Sequence, residues 1–117
     1  MTPSQLHVLV VEDNEVAREL VCEMLLVLGH EPTGAATAEE ALETMKGQAF
    51  DVLLADINLP GMSGIALAEK IVSEVPNIHV IFASGFGYLV ADKTNFQFTL
   101  LPKPYGLDQL RLALERP

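Results

Sequence analysis

The chain has one cysteine, seven basic residues among 117, and no uncharged apolar run of membrane-spanning length. The lone thiol, Cys22, has no partner for an internal disulfide and suits a reducing compartment. Charges such as Glu23 interrupt the longest apolar stretches, so no membrane span fits. The opening residues, MTPSQ, lack the basic and apolar regions of a signal peptide, and the chain is expected to be cytoplasmic. Sixteen acids bring the formal charge to −9. A nucleic-acid backbone calls for clustered Lys and Arg, so no nucleic-acid partner is expected. Repeats, low-complexity tracts and linkers are missing too. Residues 1–117, half of them hydrophobic, read as one domain with a single core and no effector domain after it.

What is present alternates. Leu6 to Val11 (LHVLVV) is a short apolar run, suited to a strand covered on both faces. Asp13-Asn14 starts a helix whose inner stripe is Val16, Leu20, Val21, Met24, Leu25 and Leu28, with Gly29 as its stop. Glu31 to Ala36 is a second strand, placed at a sheet edge by Pro32. Thr37-Ala-Glu-Glu40 is a capping box opening a helix with Ala38, Ala41, Leu42 and Met45 inward, ended by Gly47. A third strand runs from about Asp51 to Ala55. The next helix, Gly64 to Val75, carries Ile65, Ala68, Ile71, Val72 and Val75 and stops at Pro76. Ile78 to Ala83 and Phe98 to Leu101 are the fourth and fifth strands. Leu107, Leu110 and Leu114 line a last short helix. Gly85 to Asn95 should hold a further helix, but its glycines and polar residues leave the extent open.

Alternating strands and helices imply an α/β fold of the flavodoxin-like, doubly wound kind. It is a five-stranded parallel sheet in the order 2-1-3-4-5 with helices on both faces. Ligands of such sheets bind at the carboxyl ends of the strands, beside the switch in strand order. There the chain places Glu12-Asp13 after the first strand, Asp56 after the third, Ser84 after the fourth and Lys103 after the fifth. Singly, each has an ordinary explanation. Glu12 and Asp13 suit a helix start, Asp56 can cap a turn, Ser84-Gly85 can be a strand exit, and Lys103 can be a surface lysine.

Taken together they point to chemistry. Three carboxylates in one crevice repel unless a cation compensates. Mg²⁺ takes one or two carboxylates, keeps waters and leaves room for phosphate oxygens. Zinc does not fit, because His7, His30 and His79 are scattered and no Cys-His cluster exists. Lys103 makes sense beside a phosphoryl group, pairing with one oxygen while Ser84 donates to another. Asp56 would then be the nucleophile, forming an aspartyl-phosphate. Cys22 is given no redox role, and Phe86 and Tyr105 are read as local packing.

Four stretches in register, VLVVEDN (8–14), LLADINLPGMSG (53–64), FASG (82–85) and LPKPY (101–105), resemble the receiver domain of two-component response regulators. The resemblance covers almost the whole chain. It implies that Glu12 and Asp13 are the acidic pair that binds Mg²⁺, that Asp56 is the phosphoacceptor, and that the backbone carbonyl of Asn58 completes the metal shell. It implies further that Ser84 is the switch hydroxyl, that Lys103 is the family's lysine, and that the Lys103–Pro104 bond is cis. Two features depart from the pattern. Leu100 stands where the family often has Tyr or Phe, and Gly85 to Asn95 is irregular for the fourth helix. The LLPKPY stretch is closer to receivers of hybrid sensor kinases than to those driving DNA-binding domains.

The expected function is a signalling module. It takes a phosphoryl group from a histidine kinase or phosphotransfer protein onto Asp56 with Mg²⁺, shifts its partner surface or forms a homodimer, and resets by hydrolysis without being a turnover enzyme. Two other classes compete. A phosphatase of the haloacid dehalogenase type wants Asp-x-Asp after the first strand and a cap over the substrate, and the chain has neither. A receiver-like scaffold that takes no phosphate is favoured by Leu100 and opposed by the intact acids and Lys103.

Overall fold

Strands whose side chains alternate between two cores need apolar residues at every position, and the central strands have them. Leu9 and Val11 of the first strand, Leu53 and Ala55 of the third, and Val80 and Phe82 of the fourth enter one core. Their neighbours Val8, Val10, Val52, Leu54, Ile81 and Ala83 enter the other. The computed structural model describes residues 5–85 and 95–115. In it the strands are β1 (His7–Val11), β2 (Glu31–Ala35), β3 (Val52–Asp56), β4 (His79–Ser84) and β5 (Thr99–Pro102). All pairings are parallel, in the order β2-β1-β3-β4-β5.

The helices are α1 (Glu15–Val27), α2 (Ala38–Met45), α3 (Gly64–Glu74) and α4 (Leu107–Leu114). Ala38 and Ala41 of α2, with Leu67, Ala68 and Ile71 of α3, fill the first core. Val21 and Leu25 of α1, with Leu110, Ala113 and Leu114 of α4, fill the second. The sheet is therefore covered on both sides, as its order of elements implies. The further helix expected within Gly85 to Asn95 falls on 86–94, outside the described residues, as does Phe86. No helix among the described residues is long and apolar enough to cross a membrane.

Several boundaries move by one residue, and one of these shifts matters. β3 runs to Asp56 and β4 to Ser84, so both are the last rungs of a ladder rather than loop residues. The inner stripe of α1 is narrower than its apolar content suggests. Val16 is 76% exposed and Leu20 55%, while Val21 and Leu25 are buried. Leu20 precedes Val21 by one residue, about 100° around a helix with 3.6 residues per turn, so the two cannot share the face that meets the sheet. Leu107, on the first turn of α4, is exposed, whereas Leu110 and Leu114 are buried as expected.

The caps follow local chemistry. Asn14 Oδ1 accepts from the Ala17 amide at 2.9 Å and starts α1. Gly29, with φ of 90°, ends that segment in the left-handed region that glycine enters without strain. At α2, Thr37 Oγ1 accepts from the Glu40 amide at 3.0 Å, but the Glu40 carboxylate reaches back to the Ala36 amide at 2.9 Å. The expected box is thus closed one residue further out. Two of the three histidines have structural partners: His30 Nδ1 accepts from the Leu6 amide, and His79 Nε2 lies 2.8 Å from Thr99 Oγ1.

Candidate functional site

The ladder itself assembles the rim. Val11 pairs with Ala55, so Glu12 follows level with Asp56 across the β1–β3 junction. Asp56 pairs with Ala83 and Ala83 with Leu101, which puts Ser84 and Lys103 on the same edge. The Lys103 amide donates to the Ser84 carbonyl at 3.0 Å, extending the sheet past its last strand residue. Residues from four separate strands share this edge because four strands end together.

Glu12, Asp13 and Asp56 each bring a carboxylate oxygen to within 4.8 Å of the others. Glu12 is 9% exposed, Asp56 half-buried and Asp13 exposed. The Lys103 ammonium lies 2.8 Å from Asp56 Oδ2 and 3.3 Å from Glu12 Oε1. Burial alone would pull the Lys103 pKa down, but hydrogen bonding and charge from Asp56, then Glu12, outweigh it and leave it raised. Three carboxylates face one ammonium, so the site retains unbalanced negative charge. Its donors are all oxygen, and they sit close enough to share one small hard cation. The residues present fit Mg²⁺.

Two of the acids, Glu12 and Asp56, are held by the backbone around them. The Glu12 amide donates to the Ala35 carbonyl at 3.0 Å, and Glu12 Oε2 accepts from the Asn14 amide at 3.0 Å. Arg18 Nη1 donates to the Glu12 carbonyl at 2.9 Å. Asp56 Oδ1 accepts from the Asn58 amide at 3.0 Å, an Asx-type turn that orients the carboxylate. The loop then folds back through Gly61, whose φ is 75°. The Gly64 amide donates to the Ile57 carbonyl, and α3 starts so close beneath β3 that a Cβ at Gly64 would overlap the Asp56 carbonyl. The glycine lets the helix reach the strand end.

The charged side chains expected at the site converge. Glu12, Asp13, Asp56 and Lys103 form one cluster. Ser84 sits beside it at the end of β4, buried at 3% exposure. Asn58, expected through its carbonyl, follows Asp56 by two residues and donates its amide to Asp56 Oδ1. The peptide bond between Lys103 and Pro104 is cis.

Two residues reach the site that sequence reasoning assigned elsewhere or passed over. Asn14 binds Glu12 as well as capping α1. Arg18 binds the Glu12 carbonyl. Tyr105, read as local packing, is packed against the second core; burial pushes its hydroxyl up to about 12, Lys103 opposes this, and Glu12 and Asp56 add to it. Leu100 is partly buried against the core that holds Phe82, Phe96 and Phe98. Phe98 and Phe96 stand two and four residues before Leu100, and the Phe98 ring lies 5.1 Å from that of Phe82.

The model of the response regulator receiver domain matches residues 8–115. This chain belongs to that family. Among its relatives, the receiver is 34% identical over 110 residues to the DNA-binding transcriptional regulator NtrC of Escherichia coli, covering 92% of this chain and 24% of that protein. It is 35% identical over 116 residues to the sensor kinase CckA of Brucella abortus, covering 92% of this chain and 12% of that one. The chain thus spans about a quarter or less of these curated relatives. A solved CheY-like receiver domain of Methylobacillus flagellatus shares its fold with a TM-score of 0.81 at 29% identity, over 95% of this chain and 97% of that one. Regulators and sensor kinases both appear among these relatives, so the likeness is not confined to receivers of sensor kinases. Receiver domains in general bind Mg²⁺ at an acidic pocket and interact with histidine kinases, and this receiver has that acidic cluster.

Proposed function

We propose that this receiver accepts a phosphoryl group on Asp56, in a Mg²⁺-dependent step, from a phosphohistidine of a histidine kinase or phosphotransfer protein. The observation that carries the reading is the placing of Asp56, its carboxylate within 4.8 Å of Glu12 and Asp13 and 2.8 Å from the Lys103 ammonium. Glu12, Asp13 and Asp56 would hold the ion, with the Asn58 carbonyl completing its shell. When bound, Mg²⁺ supplies positive charge that offsets repulsion among the carboxylates and toward the incoming phosphoryl group.

An Asp56 carboxylate oxygen attacks the phosphorus in line. The new P–O bond forms as the bond to the donor's nitrogen breaks, and its electron pair stays on the imidazole. Lys103 then transfers its pairing from the carboxylate to a phosphoryl oxygen, and the Ser84 hydroxyl donates to another. Pairing of Ser84, at the end of β4, with the phosphate would adjust that strand end, and this adjustment is the signal. Attack of water on the phosphorus releases inorganic phosphate and restores the carboxylate. The domain assists its own modification and is not a turnover enzyme. Its phosphorylated form favours whichever partner surface, or second copy, fits the adjusted conformer.

Incubation with Mg²⁺ and phosphoramidate or acetyl phosphate tests this. Intact mass is expected to rise by one phosphoryl group in wild type and not in Asp56→Asn. A folded wild type that gains nothing favours the scaffold, and turnover of a generic phosphomonoester favours the phosphatase.

A further inference from the structure

Beyond the residues that touch ion or phosphate, and resting on the reading above, we infer that Arg18 is a positioning residue of the metal site. Its guanidinium, braced across Gly34, fixes the peptide plane from which Asp13 projects. Arg18 begins from a fixed point: its amide donates to the Asn14 carbonyl at 2.9 Å in the first turn of α1. Its half-buried side chain runs back toward the start of the helix, as long helical side chains do. On the way its methylenes cross the edge strand β2 at Gly34, where an added Cβ would stand 3.1 Å from Arg18 Cδ and 3.3 Å from Cγ. Nη1 then donates to the Glu12 carbonyl at 2.9 Å.

That carbonyl is informative. Its oxygen and the Asp13 amide belong to one planar peptide unit, so fixing the oxygen fixes the direction in which the chain leaves for Asp13. Glu12 is already held at its amide by Ala35 and at its carboxylate by Asn14 and Lys103. Asp13 is exposed and takes its aim from the backbone. Charge alone does not explain the contact. Glu15 and Glu19 flank Arg18 on the same helix, yet no ion pair among the described residues involves it. A guanidinium suits this role because its donors are rigidly planar, whereas an ammonium is a point charge.

The experiment compares Mg²⁺ affinity by titration calorimetry, thermal stability, and phosphorylation rate at saturating Mg²⁺ in Arg18→Met, Arg18→Lys and Gly34→Val. Supporting groups around metal ligands change affinity by about 10- to 100-fold. Arg18→Met is expected to weaken Mg²⁺ binding about tenfold and Arg18→Lys to recover part of the loss. Phosphorylation at saturating ion should stay near the wild-type rate. Gly34→Val places a better strand former on an exposed β2 position, so it should hold or raise the melting temperature while still weakening Mg²⁺ through the displaced arginine. Wild-type affinity in Arg18→Met, or affinity falling only in step with stability across all three variants, would overturn the inference. A wild type that takes up no Mg²⁺ would remove the functional reading itself, a distinguishable result.

Discussion

The ammonium of Lys103 lies closer to Asp56, at 2.8 Å, than to Glu12, at 3.3 Å. It arrives from β5, at the far edge of the sheet, while the acids belong to strands at its centre. Lys103 pairs with the carboxylate oxygen that does not accept from the Asn58 amide, so it is placed to meet a phosphate attached there.

Lys103→Met separates two roles of positive charge. Removing one preorganised donor to developing charge costs roughly 10²- to 10³-fold in rate. Phosphorylation by phosphoramidate, followed by intact mass, is expected to slow by about that factor. Mg²⁺ affinity should hold or improve, because an ammonium and a metal ion compete for the same carboxylates. Weaker Mg²⁺ binding in the variant would contradict this arrangement.

Gly64→Ala should be disproportionately costly for a single methyl group. The added carbon overlaps the Asp56 carbonyl, which is backbone and cannot swing aside. Overpacking of this kind costs about 1–3 kcal/mol, and a urea midpoint shift would read it. Relief of the clash must move β3 and α3 apart, so phosphorylation should fall even where the protein remains folded. Full activity with unchanged stability would show that the loop yields easily.

Tyr105 gives the domain a pH signature in the alkaline range. Its hydroxyl is pushed up from the ordinary phenol value of about 10 to about 12, first by burial, against Lys103 and with Glu12 and Asp56. The folded state therefore holds the phenolic proton more tightly than the unfolded chain. The associated stability is complete below about pH 10 and is lost as the pH rises toward 12. With the other tyrosine replaced (Tyr88→Phe), ultraviolet titration should show one phenol ionising near 12 in native protein and near 10 in denaturant. A native midpoint near 10 would place the ring in solvent.

The order of elements and the rim of polar groups were legible because both arise from short-range rules. Uninterrupted apolar runs mark strands covered twice, and the acids, serine and lysine stand where those runs stop. Asn14 was legible as a cap but not as a partner of Glu12, since that bond depends on how the chain turns after β1. Arg18 gave no such signal. Its partners, Gly34 and Glu12, meet only when α1 packs beside β2, and a lone arginine on an acidic helix reads as surface. The inner stripe of α1 was over-read for a related reason. Val16 and Leu20 have the right spacing for a core stripe, but the sheet decides which side of an apolar helix is covered.

The ladder that sets Glu12 level with Asp56 also divides the chain into segments with unequal tolerance for changes of length. A residue inserted between Val8 and Val11 would push Glu12 outward by roughly 3.3 Å. It would also exchange the occupants of the two cores on one side of the insertion. The same insertion at Gly47–Ala49, at the far pole, would leave both cores and every rim distance unaltered. Natural and engineered variants of this domain should therefore differ in length at the pole away from the acids, while each strand keeps its count.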